Sequence, residues 1–227
     1  MEKIITRSIL TVALTASLLP VAAQAQLTIS EVHAMGSSSS TYGKDWFELR
    51  NDGPLALNIT GWKVDDSSAL FSAALTLRGV TSIDPGQAVI FIEGVSNGST
   101  DATLSAAFQT AWFGSSVPSG FTIGFYGGSG IGLGIAGDAV NIYDSSGALQ
   151  AGVTFGAATT GISFDNAAGL SGLISQLSTV GVNGAFNSVT GSEIGSPGIA
   201  PVPEPATLAL AGVGLAALWS FRRRNQK

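Results

Sequence analysis

Residues 45–66, DWFELRNDGPLALNITGWKVDD, carry the clearest structural pattern in the sequence. Successive side chains of a β-strand point to opposite faces, so Phe47 and Leu49 share one face of a predicted strand. The residues on its other face are Trp46, Glu48 and Arg50. Buried polar groups beside turns are usually satisfied locally, so we expect Glu48 and Asn51 to fix neighbouring backbone rather than bind a ligand.

A turn and a second strand follow. In the NDGP segment, an Asx-type turn is expected and Gly53 is free to take a positive φ. After Gly61, Trp62 and Val64 are predicted to re-enter the core. This strand–turn–strand arrangement predicts part of a β-sheet domain.

Other short apolar runs extend the pattern on both sides. LTISEV begins at Leu27, AVIFIEG follows a Pro-Gly turn at residues 85–86, and FTIGFY places Phe121, Ile123 and Phe125 on one face. Residues 103–114 predict one short helix. Strands this short and this frequent predict an antiparallel sandwich or barrel.

The later part of the chain predicts a hairpin and then a covering segment. Val140 and Ile142 lead into a turn at residues 144–147. The residues that alternate on the returning strand are Leu149, Ala151, Val153 and Phe155. Residues 169–198 are poorly patterned, and we expect them to cover the sandwich as loops and short strands.

Several of these motifs together resemble the lamin tail domain, an immunoglobulin-like module first described in nuclear lamins. The hairpin and GSEIGSPG, at residues 191–198, resemble later parts of bacterial members. The resemblance implies an all-β, immunoglobulin-like antiparallel β-sandwich over residues 27–198. Between residues 71 and 138 the sequence departs from the family pattern by an extra glycine-rich insertion. The residues that carry the early motifs are Ile29, Glu31, Val32, Trp46, Glu48, Leu49, Asn51, Ile59, Gly61, Trp62, Pro85 and Gly86.

The N-terminus is typical of a secretory signal peptide. Lys3 and Arg7 precede an apolar stretch over residues 9–21, and Ala23 and Ala25 form the small-x-small pattern that signal peptidase accepts. We predict a signal peptide over residues 1–25, cleaved after Ala25. The alternative is a first transmembrane helix, for which the apolar run is short.

The C-terminus, residues 199–227, combines three parts in a fixed order. The motif Pro203-Glu204-Pro205 comes first, an apolar helix over about residues 206–221 follows, and an arginine cluster ends it. The residues of that cluster are Arg222, Arg223 and Arg224. This order resembles the PEP-CTERM sorting signal of exopolysaccharide-producing Gram-negative bacteria, which implies recognition by an exosortase that cuts near the Pro-Glu-Pro motif.

Physical arguments fit a transient membrane helix in this tail. Sixteen helical residues extend about 24 Å, slightly short of a hydrocarbon core of about 30 Å. The arginines are expected to hold the C-terminus on the cytoplasmic side. The alternative is a retained single-pass anchor.

Charge and composition exclude several function classes. Between the two terminal signals, four cations stand against thirteen acids, which gives a net charge of about −9. Such a surface repels phosphate backbones, so we expect no nucleic-acid binding. The absence of cysteine excludes thiol catalysis, disulfides and cysteine-based metal sites.

Candidate catalytic groups are sparse. His33 is the single histidine, and no nucleophile elbow accompanies it, so we expect a strand-end or loop histidine rather than a catalytic base. GLGIAG, at residues 132–137, matches the dinucleotide motif G-x-G-x-x-G. However, β-rich sequence follows it where a helix is required, so we interpret the match as chance.

Acids and aromatic residues are the remaining binding candidates. Acids at turns could supply oxygen ligands to Ca²⁺, although none has the spacing of a dedicated loop and we commit to no metal site or cofactor. These acids are Asp65, Asp66, Asp84, Asp101, Asp138 and Asp144. A carbohydrate platform needs exposed aromatic rings, and a sandwich core uses the same residues. The candidates are Trp46, Trp112, Phe113 and Tyr126.

These observations support one leading hypothesis and two alternatives. The first is a non-enzymatic exported protein, an adhesion or structural module associated with exopolysaccharide or other surface proteins and placed at the cell surface or in the extracellular matrix. The second is a calcium-dependent glycan-binding module. The third is an extracellular hydrolase, a class that accompanies bacterial lamin tail domains, although no second domain is present here to hold that activity.

Overall fold

The structure is a computed structural model that describes residues 27–34, 40–127 and 131–199. The predicted signal peptide with Ala23 and Ala25, and the sorting signal with its apolar helix, lie outside these residues. Within the described ranges, no helix is long and apolar enough to cross a membrane. The elements are β1 (Leu27–His33), β2 (Trp46–Asn51), β3 (Leu57–Asn58), β4 (Lys63–Asp65), β5 (Leu75–Thr76), β6 (Ser82–Ile83), β7 (Ala88–Gly94), α1 (Asp101–Phe113), β8 (Ile123–Gly127), β9 (Asp138–Tyr143), β10 (Leu149–Phe155), β11 (Phe164–Asp165), β12 (Gly172–Ile174), β13 (Phe186–Asn187) and β14 (Ile194–Gly195).

Two five-stranded sheets form the body. The first sheet has the order β11-β1-β2-β7-β8, and the second has the order β12-β10-β9-β4-β5. Their facing sides share one apolar core, to which Phe47, Leu49, Trp62 and Val64 contribute as predicted. The prediction of a β-sandwich is therefore confirmed.

Most strand pairs are antiparallel, as predicted, but two pairs depart from that prediction. β7 pairs with β8 in parallel, and β10 pairs with β12 in parallel. Parallel neighbours need a crossover connection, which a tight turn cannot supply. Helix α1 provides it between β7 and β8, and a long segment that includes β11 provides it between β10 and β12.

The hairpin forms with one departure from the predicted alternation. Val153 and Phe155 are buried and Ala151 packs against the core, but Leu149 is 57% exposed. A register shift between Leu149 and Ala151 breaks the two-residue period there. A bulge moves every side chain beyond it to the other face, which explains the exposed leucine.

The turn glycines also differ in part from expectation. The Asx turn forms, with the Gly53 backbone N–H donating to Asn51 Oδ1 at 2.9 Å. Gly53 is not among the positive-φ glycines, whereas Gly61 (φ 76°) and Gly86 (φ 72°) are. The Asn51 side chain also donates to the carbonyls of Leu55 and Ile83, each at 2.8 Å, so its predicted backbone-fixing role is confirmed.

Helix α1 adds a third layer on the outer side of the first sheet. Leu104, Phe108, Ala111 and Trp112 form an apolar stripe at helical spacing. They pack with Trp46, Ile90, Ile92 and Phe125 in a second buried cluster. Phe121 and Ile123 pack against the same cluster, which confirms the predicted shared face with Phe125. The first sheet is thus buried on both faces.

Candidate functional site

The outer face of the first sheet contains charged residues that solvent does not reach. Glu31 and His33 on β1 and Glu48 and Arg50 on β2 are all 0% exposed. A register shift in β1 between Ile29 and Glu31 makes Glu31 the direct cross-strand partner of Glu48. Two carboxyl groups therefore share one buried site, an arrangement that needs compensating hydrogen bonds.

The hydrogen bonds come from residues 193–199, which we call the C-terminal strap. Glu31 Oε1 accepts from the Ser196 backbone N–H at 2.9 Å, and Glu31 Oε2 contacts the Ser196 hydroxyl at 3.0 Å. Glu48 Oε2 accepts from the Gly198 N–H at 2.6 Å. The strap is therefore held by both glutamates at once.

Hydroxyl groups beneath the strap complete the two carboxyl sites. Ser30, at the register shift of β1, contacts Glu48 Oε1 at 2.6 Å. Ser163 contacts Glu31 Oε1 and lies 2.7 Å from the Ser178 hydroxyl. Gly195 passes so close that an added Cβ would lie 2.5 Å from Glu31 Oε1, so a side chain there would displace the carboxyl group.

Burial shifts the acidity of both glutamates in the same direction. Burial, with the nearby Glu48 charge, raises the pKa of Glu31 from 4.5 to about 8. Burial raises the pKa of Glu48 from 4.5 to about 7, against the opposing effects of the Ser30 and Gly198 hydrogen bonds and of Arg50. The pair therefore retains protons near neutral pH.

A second polar cluster joins the strap to the aromatic residues of the outer face. The Tyr42 hydroxyl donates to Glu193 Oε1 at 2.6 Å. It accepts from the indole N–H groups of Trp46 at 3.0 Å and Trp112 at 3.3 Å. Burial raises the pKa of Glu193 to about 7 and that of Tyr42 well above its usual value.

His33 is a buried residue at the end of a strand, as predicted. Its ring stacks on Trp46 with centroids 5.3 Å apart, and its Nε2 lies 3.4 Å from Glu193 Oε1. Burial lowers the pKa of His33 from 6.5 to about 4. The imidazole is therefore neutral at pH 7. It lies on the outer face of the first sheet, on the side that the strap and helix α1 cover.

The acids proposed as calcium ligands do not converge. Asp138 accepts backbone N–H groups from Ser67 and Gly134, and Asp101 binds Arg78 at 2.8 Å. Asp144 accepts hydrogen bonds from its own turn, including Ser146. Among the described residues, no group of three or more acids or histidines could hold a metal ion.

The sequence left two roles open for four aromatic residues, a carbohydrate platform or a sandwich core, and the structure supports the core. Trp46, Trp112 and Tyr126 are 0% exposed and Phe113 is 8% exposed. Trp46, Trp112 and Phe113 lie in the cluster that helix α1 forms with the outer sheet face. Tyr126 lies in the core between the two sheets. The GLGIAG segment lies in a loop that leads directly into β9, so it lacks the helix of a dinucleotide site.

Two surface clefts lie at the open side of the sandwich. One, of about 330 Å³, is lined by residues of β10, the start of β12 and Asn141. An adjoining cleft of about 120 Å³ lies between β10 and the start of β1. Neither lining contains a charged residue or histidine, so neither supplies acid–base or metal-ligand groups.

Sequence reasoning missed the partners of Glu48. We expected neighbouring backbone, but the Gly198 donor lies 150 positions away. Tyr42, Ser163 and Glu193 carry no local pattern that would mark them. The resemblance of GSEIGSPG to a family segment was the one available signal.

Comparisons with known proteins agree with this architecture. The lamin tail domain family model matches residues 20–157, more than half of the chain. The PEP-CTERM protein-sorting motif matches residues 201–224. No curated protein and no solved structure matches significantly.

The two matched models are a structural domain and a sorting motif, and neither is an enzyme family. The sorting motif is that of exported, exosortase-processed proteins of Gram-negative bacteria. The chain thus belongs to the lamin tail domain family and carries a PEP-CTERM sorting motif at its C-terminus.

Proposed function

We propose that this protein is a non-enzymatic adhesion or structural module of an extracellular polysaccharide layer. After signal peptidase cleavage behind Ala25, the C-terminal helix holds it briefly in the inner membrane. Exosortase then acts near Pro203-Glu204-Pro205, and the body reaches the cell surface or the surrounding matrix. Exopolysaccharide and other surface proteins are its partners there.

The observation that carries the proposal is the use of the buried polar residues. Glu31, Glu48 and Asn51 bind backbone groups of the body, and Tyr42 and Glu193 bind each other and two indoles. These groups stabilise a three-layer body, and the two clefts described above hold no acid–base pair. A body whose buried polar groups bind its own backbone and side chains suits a structural role.

The experiment follows a tagged full chain in an exosortase-containing Gram-negative host. Alanine replacement of Pro203, Glu204 and Pro205 together should leave the protein in the membrane fraction with Lys227 retained. A matched control is Pro118→Ala, an exposed turn proline of the body, which should be sorted normally.

Matrix association is tested in the same cells. The sorted protein should be lost from the matrix of a mutant that makes no exopolysaccharide, and it should be released into the medium. Equal matrix retention with and without polysaccharide would contradict the proposed association, while unchanged processing in the triple variant would contradict sorting. Ester, phosphodiester or glycan hydrolysis by the sorted protein would contradict its non-enzymatic role.

A further inference from the structure

The hydrogen bonds around Glu31 and Glu48 suit carboxyl groups that carry a proton. One oxygen of each group accepts from a backbone N–H, which can only donate. The other oxygen contacts a hydroxyl, Ser196 for Glu31 and Ser30 for Glu48. A hydroxyl can donate or accept, so each contact can reverse. Either glutamate can therefore bind a proton without losing a hydrogen bond.

Among the charged and titratable groups around the ionised pair, Arg50 is the one that favours ionisation, in addition to the hydrogen bonds from the serines and the strap. Arg50, the cation on β2, is shared with Asp52 at 2.6 Å. His33 on β1 is neutral near pH 7. On β11, Asp165 is the cross-strand partner of Glu31 and adds another acid.

The other elements within the described residues supply no cation to the pair. In the strap, Glu193 is a further acid. β7 presents the apolar Ile90 opposite Glu48. The ionisable residue of α1, Asp101, is bound to Arg78 at the far end of that helix. Two adjacent buried carboxylates therefore repel each other, and the hydrogen bonds from the serines and the strap offset burial and repulsion only in part.

We propose that the C-terminal strap is a proton-controlled latch. It is docked on the sheet while Glu31 and Glu48 hold at least one proton between them, and it loosens when both are ionised. The latch controls how firmly the body holds the chain that leads into the sorting motif. This inference does not depend on the proposed adhesive role.

The strap responds to ionisation of the two glutamates because of the way it is attached to the body. Its first half is held by backbone bonds from Ile194 to Gly161 and Ser163. From Ser196 onward, the hydrogen bonds described between the strap and the sheet end on the two glutamates. Loss of these bonds frees the end of the strap without breaking a strand of either sheet.

The test is hydrogen–deuterium exchange of the full chain in detergent micelles. Exchange of peptides covering residues 193–199 is compared with that of β7, after correction for intrinsic rates. Between about pH 6 and pH 9, strap protection should fall at least about tenfold relative to β7. Parallel behaviour of the strap and β7 across this range would overturn the proposal.

Glu31→Gln and Glu48→Gln make the test specific. A glutamine keeps the carbonyl that accepts the backbone N–H, and its amide donates to the reversible hydroxyl. With one charge removed, each variant should keep its strap protected throughout the same pH range. The matched control is Glu93→Gln on β7, whose carboxylate contacts Lys44 at 3.7 Å and which should respond like the native chain. A native-like pH response in either strap variant contradicts the latch.

Infrared spectroscopy tests the native chain directly, should a variant fail to fold. The carbonyl stretch of a protonated, buried carboxylic acid should be present at about pH 7 and should disappear over the pH range in which strap protection falls. Absence of this band at neutral pH would overturn the proposal.

Discussion

The two faces of the sheet β11-β1-β2-β7-β8 are both buried, but they are built differently. The inner face is apolar, with Ile29, Phe47, Leu49 and Phe91 packed against the second sheet. The outer face combines Trp46 with Glu31, His33 and Glu48, and it is covered by α1 and the strap. The inner face depends on packing, whereas the outer face also depends on hydrogen-bond partners and on protonation.

This difference shows why β2 can be buried on both faces and still carry both apolar and polar side chains. Along β2, every residue is buried, yet apolar and polar side chains follow each other. Apolar side chains lose little when water is removed, while each buried polar group needs a partner. The outer layer supplies those partners from distant parts of the chain.

The largest effect is expected on the inner face. Phe47→Ala should lower the free energy of unfolding by about 3–5 kcal/mol, because it leaves a cavity between Phe91 and Tyr126. Urea unfolding followed by tryptophan fluorescence measures it. Phe71→Ala, at a partly exposed ring, should cost clearly less. Equal losses would show that the inner face is not the main packing core.

Removal of two buried tyrosine hydroxyl groups, one at a time, tests the hydrogen bonds of the outer face. Tyr42→Phe should cost about 1–3 kcal/mol, because it leaves Glu193 and two indole N–H groups without their partner. Tyr126→Phe should be neutral or stabilising, because that hydroxyl is buried without a hydrogen-bond partner. Thermal unfolding of both variants tests the contrast, and a reversed order would refute the assignment of the Tyr42 network.

The pH dependence of stability separates the faces further. The raised pKa values of Glu31, Glu48 and Glu193 mean that the folded state binds more protons than the unfolded state above pH 4.5. Their stabilising contribution is therefore lost as pH rises toward 8, with a fall on the order of 1–2 kcal/mol between about pH 6.5 and pH 8. Urea midpoints measured at several pH values test this.

The titration of His33 limits the pH range over which this fall in stability can be seen clearly. Its pKa is lowered, so its contribution is lost as pH falls from 6.5 toward 4, and there it opposes the glutamates. Above about pH 7.5 the imidazole is almost entirely neutral in both states. Stability that rises between pH 6.5 and pH 8 would contradict the buried-carboxyl description.

The smallest effect is expected where no third layer exists. Leu173 on β12 is 68% exposed, so Leu173→Ser should change the free energy of unfolding by no more than about 0.5 kcal/mol. Its neighbour Ile174 is 1% exposed, and Ile174→Ser should be strongly destabilising. Similar effects of the two changes would indicate that the outer face of the second sheet is also covered.

The sequence predicted what depends on local spacing. The faces of Phe47 and Leu49, the helix near residues 103–114 and the Asn51 turn all follow from the periods of strands and helices or from turn chemistry. Such features involve residues only a few positions apart. The strands and the sandwich could therefore be identified without the structure.

Long-range features escaped the sequence. The strap donors of Glu31 lie 165 positions away, and no local rule connects them. The sequence left both an exposed platform and a core open for the aromatic residues, because no local pattern shows that α1 and the strap add a layer over the outer sheet face. The parallel pairs were missed for a similar reason, since crossover connections are set by the tertiary arrangement.

The docked strap also limits how far Pro203 of the sorting motif can lie from the folded body. Ile199 is the last described residue, and Pro203 follows four positions later. An extended chain spans at most about 3.6 Å per residue, so Pro203 lies within about 14 Å of Ile199 in any conformation. A processing enzyme that acts at Pro203 must therefore reach its substrate almost against the surface of the folded body. Its catalytic opening needs to be wide or shallow enough to accept a globular neighbour.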